Sequence, residues 1–214
     1  ASDIAPLERP LAETFQKASG HRLRFSFGAS GMLARQIEHG APYDAYLSAN
    51  EQFVHNLVGQ DKLLADSVRL YAVGWLGIWS KRHKIGKLED LRPLGRIAIA
   101  NPAHAPYGAA ARQALERAGI WKELAPKLVF GENVRQALQY AESGNADAVI
   151  TAWSLVLKKG GVQVPAALHD PIRQAGAVLK SSRRQAAARR FLEFLASPAG
   201  REILTGFGFG VDPR

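Results

Sequence analysis

Apolar residues along the chain switch between a helical spacing and short strand-like runs. Leu7, Leu11 and Phe15 recur every four residues and stop at Gly20, which predicts an amphipathic helix closed by glycine. Leu23 to Phe27 predicts a short strand. Ser30 is placed to cap a second helix that carries Leu33 and Ile37 and ends at Gly40, and Ala45 to Ala49 predicts the next strand. The longer run Tyr71 to Trp79 is β-rich, and Arg96 to Ala100, Leu128 to Phe130 and Ala148 to Ala152 are further strands. Between them lie helices at Gly108 to Ala118 and Val134 to Glu142, ending at Gly119 and Gly144. Ala175 to Leu179 is a last strand before two C-terminal helices, the second opened by Ser197 as N-cap with Pro198 in the first helical position. Strands and helices that alternate in this way predict an α/β protein with mostly parallel sheets.

Several of the predicted strand-to-helix turns hold small, hydroxyl-bearing or glycine residues: Ser2, then Gly28-Ala29-Ser30-Gly31, then Pro106-Tyr107-Gly108. A helix start carries unpaired N–H groups and a partial positive charge, so several that converge can hold an anion without a charged side chain. In open α/β sheets such sites lie beyond the carboxyl ends of the strands. Taken singly, each turn is an ordinary helix start.

Composition narrows the chemistry. The 214 residues are 47% hydrophobic and 22% charged, as in a soluble globular protein able to bury a core without staples. The absence of cysteine excludes thiol catalysis, cysteine-ligated zinc and iron–sulfur clusters. No run is long enough to span a membrane. The chain opens with Ala1-Ser2-Asp3 rather than with a basic start and an apolar core, so an exported protein would stand here in processed form. The net charge of +9 favours anionic partners. Its densest basic run, Lys180 to Arg190, leads into Phe191, Leu192, Phe194 and Leu195, as the polar face of an amphipathic helix would, and no nucleic-acid-binding motif accompanies it.

With their flanks, the turns become specific. The stretch from Phe27-Gly28-Ala29-Ser30-Gly31 through Leu33-Ala34-Arg35-Gln36-Ile37 and Gly40-Ala41-Pro42-Tyr43-Asp44 to Ser48-Ala49 strongly resembles the signature of periplasmic molybdate-binding proteins. Ile97 to Gly119 is similar to that family's N-P-x-x-x-P-x-G helix opening, and Glu132-Asn133-Val134-Arg135-Gln136-Ala137-Leu138 to its E-x-V-R-x-A-L segment. Phe191 to Phe207 resembles its C-terminal block. The four blocks run in family order over nearly the whole chain.

The resemblance implies a two-lobed periplasmic binding protein of type II, with a ligand cleft at a hinge made by two crossing strands near Tyr71 to Val73 and Gln174 to Val178. One lobe would be residues 1–72 plus 178–214 and the other 73–177. Carried over residue by residue, the ligand set is Ser2, Ser30, Tyr107 and Val134, which would hold the molybdenum through its oxygens; Val134 gives only its backbone N–H. The chain departs from part of the family at Ala152, where many members carry a tyrosine, and matches a second pattern through Tyr107. It also starts at the first serine loop, without the strand that leads into that loop elsewhere in the family. Either upstream residues are missing or the first lobe is altered, and Ser2 is expected to be held less firmly than Ser30, since termini fray unless tied down.

The implied function is binding of molybdate or tungstate in the periplasm, without a cofactor, by a monomer that delivers the ligand to the permease subunits of an ABC importer and touches no nucleic acid. Binding of sulfate or phosphate, or an oxyanion-sensing domain of a regulator, are the alternatives; the latter needs a DNA-binding segment upstream. An enzyme is not expected. His21, His39, His55, His83, His104 and His169 form no H-E-x-x-H pair, and Met32 breaks a G-x-S-x-G elbow after Ser30. Gly206-Phe207-Gly208-Phe209-Gly210 lacks dinucleotide-binding spacing, and a pyrrole-polymerising deaminase would need a cysteine to hold its cofactor.

Overall fold

The computed structural model describes residues 1–210. A 3-10 turn at Ser2–Leu7 leads into α1 (Glu8–Ser19), followed by α2 (Ser30–Glu38), β1 (Ala45–Ser48), α3 (Glu51–Gly59), β2 (Arg69–Gly74) and β3 (Leu76–Trp79). Then come β4 (Ile97–Ala100), α4 (Pro106–Arg117), α5 (Trp121–Leu124), β5 (Leu128–Gly131), α6 (Val134–Ser143), β6 (Ala148–Ala152) and α7 (Trp153–Val156). The described chain closes with β7 (Val162–Gln163), β8 (Ile172–Val178), α8 (Gln185–Ala196) and α9 (Pro198–Gly206).

The chain divides into two compact units. The first takes Ala1, Asp3–Val73 and the chain from Arg173 onward; the second takes Ser2 and Gly74–Ile172. Ser2, assigned by sequence to the first lobe, falls in the second, and residues 73 and 173–177, assigned to the second lobe, fall in the first. For residues 173–177 the reason is strand pairing: Ala175, Gly176 and Ala177 on β8 lie opposite Ser48, Leu47 and Tyr46 on β1. Residues 211–214, which the sequence reading put in the first lobe, lie outside the described residues.

In the first unit the sheet order is β1-β8-β2, with β1 and β8 antiparallel. One side of its core joins Leu7, Leu11 and Phe15 to Phe191, Leu192, Leu195 and Leu204; the other joins Leu33 and Ile37 to Tyr46, Val54 and Leu57. Leu23, Phe25 and Phe27 pack on the first cluster while Arg22, Arg24 and Ser26 face solvent. This is the alternation expected of a strand, yet no strand is assigned to this segment. The apolar pattern sets which side chains point inward; only a neighbouring backbone can complete a ladder. The basic run is the outer surface of α8 and its approach. Lys180 pairs with Asp61, Arg184 with Asp44 and Arg189 with Asp66.

The second unit holds a sheet in the order β5-β4-β6-β3-β7. The strands β5, β4 and β6 run parallel, whereas β3 is antiparallel to β6 and β7, so the mostly parallel arrangement expected from sequence holds for half of the pairings in this sheet. The apolar run Tyr71 to Trp79 breaks at Trp75 into β2 and β3. Every residue of β4 and β6 is buried, as central parallel strands require when helices pack on them. A side chain at Gly108 would overlap the Ala100 carbonyl oxygen, and one at Gly131 would meet the Ala137 nitrogen at 2.6 Å. Glycine at these two positions lets α4 and α6 start hard against the ends of β4 and β5.

His169 in this unit is 2% exposed. Its Nδ1 lies 2.8 Å from the Asp170 carbonyl oxygen, which can only accept, so Nδ1 carries the proton and the Nε2 lone pair is left without a partner. Burial, the dominant influence, lowers its pKa below the ordinary 6.5; Arg117 acts in the same direction and Asp170 opposes. The folded state therefore favours the neutral ring. Its stabilising effect is present above the unfolded value and is lost as pH falls through the folded one. From about pH 7.5 to about pH 5, the melting temperature of the parent is expected to fall further than that of His169→Asn, which keeps a donor toward Asp170 and cannot titrate. Parallel pH profiles for the two proteins would contradict this.

Candidate functional site

In the first unit the start of α2 is buried. Ala29 is its N-cap in extended conformation (φ −64°, ψ 142°) and offers no side-chain cap; Ser30 is the first helical residue rather than the cap its sequence position suggested. Neighbouring elements fix Ser30 at both polar ends. Tyr46 on β1 donates its hydroxyl to the Ser30 carbonyl at 2.7 Å, and the Ala49 N–H donates to Ser30 Oγ at 3.0 Å. Burial pushes the Tyr46 phenol far up, so it remains a donor. Because Ser30 Oγ already accepts, its own proton is left to donate. Among the hydrogen bonds of the described residues it has no acceptor. Ser30 and Gly31 are buried, and no acidic residue lies in the first turn.

The turn after β1 is closed differently. Ser48 Oγ donates to the Asn50 carbonyl, and the Asn50 side chain caps α3 by accepting from the Gln52 N–H. Residue 1 sits at the same strand, its terminal nitrogen 2.8 Å from the Leu47 carbonyl oxygen. That contact ties down the segment expected to fray: residues 1–4 are all buried, and Ser2–Leu7 forms a 3-10 turn. Ser2 is 3% exposed, and its hydroxyl has no partner.

In the second unit two helix starts follow adjacent parallel strands whose last residues, Ala100 and Gly131, lie opposite each other. Tyr107 opens α4 behind Pro106; it is buried, Ala105 supplies no side-chain cap, and the first turn again lacks an acid. Val134 opens α6. Asn133 caps that helix through Oδ1, which accepts from the Arg135 and Gln136 N–H groups at 2.9 and 3.2 Å and leaves the Val134 N–H without a capping acceptor. The Val134 carbonyl is held by the Thr151 hydroxyl of β6 at 3.0 Å. Ala152, at the end of β6, is fully buried. His104 is half-buried and bridges the two turns, its Nε2 lying 3.1 Å from the Glu132 carbonyl oxygen.

Within the second unit the fold thus brings the Tyr107 and Val134 turns to one end of the parallel strands. Within the first it anchors Ser30 beside β1. Sequence reasoning missed the residues that hold these positions, namely Tyr46, Ala49, His104 and Asn133. Of these only Asn133 carried a local signal, an N-cap side chain directly before a helix. Among the described residues no group of three or more His, Cys, Asp or Glu is placed to hold a metal ion. What the turns offer is neutral donors on buried, positively polarised helix ends. That chemistry is suited to an anion.

A family model described as bacterial extracellular solute-binding protein matches residues 1–210, and the chain belongs to that family. Among its relatives is the molybdate-binding protein ModA of Rhodobacter capsulatus, 35% identical over 98% of this chain and 85% of its own length. The ModA of Azotobacter vinelandii is 34% identical over 99% of this chain and 87% of its own length. The solved periplasmic molybdate-binding protein of Azotobacter vinelandii superposes with a TM-score of 0.93 at 30% identity, covering 100% of this chain and 97% of that one.

Ser30→Ala removes the acceptor of the buried Ala49 N–H. It is expected to lower the unfolding free energy of the ligand-free protein by about 1–3 kcal/mol, as for an unsatisfied buried donor. Urea unfolding reads this, and an unchanged midpoint and slope would show that the Ser30–Ala49 contact does not hold the turn.

Proposed function

We propose that this chain binds molybdate, and tungstate with similar affinity, in the periplasm, and delivers it to the permease subunits of an ABC importer. The observation that carries the proposal is the set of helix starts at α2, α4 and α6, where Ser30, Tyr107 and Val134 are buried and no first turn carries an acid. Ser30 contributes a hydroxyl proton, Val134 a backbone N–H, and Tyr107 and Ser2 complete the donor set. Relatives bearing a molybdate-binding name, at 34% and 35% identity over nearly the full chain, support this choice of oxyanion.

Molybdate at neutral pH is a dianion with four equivalent oxygens and no proton. It needs donors and no acceptor, and helix ends spread its charge over many peptide dipoles. Phosphate carries a proton at the same pH and wants an acceptor, which this donor set lacks. Sulfate shares the geometry and differs in size, so discrimination against it rests on how far apart the donors are held. The protein acts as a carrier, in keeping with the solute-binding family to which it belongs. We take it to work as a monomer without a nucleic-acid partner; in its densest basic run Lys180, Arg184 and Arg189 are paired with Asp61, Asp44 and Asp66.

Calorimetry against the four oxyanions tests the ligand. Molybdate and tungstate are expected to bind alike, and sulfate and phosphate at least about tenfold more weakly, a gap of roughly 1.4 kcal/mol. Sulfate binding as tight as molybdate would overturn the assignment. In the same titration Tyr107→Phe, which deletes only the hydroxyl, is expected to weaken molybdate binding by about 1–3 kcal/mol; undiminished affinity would reduce Tyr107 to its ring and backbone.

A further inference from the structure

The chain passes from the first unit to the second after Val73 on β2 and returns after Ile172 on β8, and these two strands are neighbours in the first sheet. Beside those points lies a buried polar chain. The Tyr71 hydroxyl donates to Gln174 Oε1 at 2.7 Å, and Gln174 Nε2 donates to Asp3 Oδ2 at 2.5 Å. Gln174 is fully buried, Asp3 is 1% exposed and Tyr71 4%. The direction of the chain is fixed by chemistry. A carboxylate only accepts, so the amide presents its NH₂ to Asp3 and its carbonyl to Tyr71, whose phenol must then donate. Burial first, then the charge of Asp3 and the presence of Tyr46, keep that phenol protonated.

Asp3 is the acidic residue in the first turn of the Ser2–Leu7 segment. It directly follows Ser2, whose buried hydroxyl has no partner. A carboxylate one residue from an unpartnered hydroxyl is a competing acceptor for its proton, and a negative charge so close opposes an incoming dianion. Held by the Gln174 amide, the Asp3 carboxylate has its Oδ2 turned to β8. Tyr71 in turn stops the amide from flipping. A leucine of similar size would fill the volume of Gln174 and do neither.

We propose that Gln174 is a positioning residue for oxyanion binding: through its amide it restrains Asp3, leaves the Ser2 hydroxyl available to the ligand, and is itself oriented by Tyr71. This role rests on the molybdate reading above. Gln174 touches no ligand in it and acts only through Asp3.

The test is calorimetric titration with sodium molybdate, with melting temperatures recorded, of the parent, Gln174→Glu, the double variant Asp3→Asn/Gln174→Glu, and Tyr71→Phe. Gln174→Glu sets two carboxylates against each other and is expected to bind at least about tenfold more weakly. The double variant reverses donor and acceptor and is expected to return within about threefold of the parent, a rescue that loss of packing would not produce. Tyr71→Phe keeps the ring but removes the hydroxyl donor of the buried Gln174 Oε1, so it should melt below the parent while staying folded at the titration temperature, and it is expected to bind at least about threefold more weakly; it carries the test if Gln174→Glu does not fold. Parent-like affinity in Gln174→Glu or Tyr71→Phe, or a double variant no tighter than Gln174→Glu, would overturn the role. A parent that fails to bind molybdate overturns the ligand reading and this role with it, whereas a binding parent with an unaffected Gln174→Glu overturns this role alone.

Discussion

A buried helix start leaves backbone N–H groups that must find an acceptor, and the arrangement of this protein turns on how each start meets that demand. Three are closed from within: Asn50 caps α3, Asn133 caps α6 and Ser197 caps α9. The start of α8, behind Arg184, is open to solvent, where water serves. At α2 and α4 the N-caps are alanines without a capping side chain, and Ser30 and Gly31 in the first and Tyr107 and Gly108 in the second are buried. At α6 the cap reaches Arg135 and Gln136 but not Val134. The Ser30 hydroxyl and the Val134 N–H are donors of the kind a dianion would use, and leaving carboxylates out of these first turns keeps the helix ends positive.

Holding such donors in place takes more than the turns themselves. Ser30 is useful because Tyr46 and Ala49 occupy its carbonyl and its lone pair, so its hydroxyl has one direction left to give. Val134 is held from β6 through Thr151, and the two turns of the second unit are linked through His104. The glycines at 108 and 131 let the helices begin against the strand ends, where any side chain would collide with backbone. In the first unit the Tyr71–Gln174–Asp3 chain works the same way. A polar group far away in sequence fixes from which donor the Asp3 carboxylate accepts.

What could be read from sequence divides along the same line. The helices were legible because their signals are local: a period near four, a glycine stop at Gly20 and Gly144, a serine–proline start at 197 and 198. The candidate donors were legible because their flanking blocks resemble those of a known family. Partners were not. The Gln174–Asp3 bond spans 171 residues and Tyr71–Gln174 spans 103, and nothing in either neighbourhood announces the other. Leu23 to Phe27 has the alternation of a strand, but a ladder depends on a neighbour that periodicity does not encode. Likewise the antiparallel placement of β3 against β6 follows from chain path, and strand character alone could not separate it from the parallel half of the sheet.

The central claim is that neutral donors on buried helix starts hold a tetrahedral dianion. The most direct measurement is an anomalous difference map at the molybdenum absorption edge, from crystals of this protein grown with molybdate. The account predicts a peak whose surrounding oxygens lie about 2.7–3.2 Å from Ser30 Oγ and from the Val134 nitrogen. A molybdenum peak that makes contact with neither would contradict it.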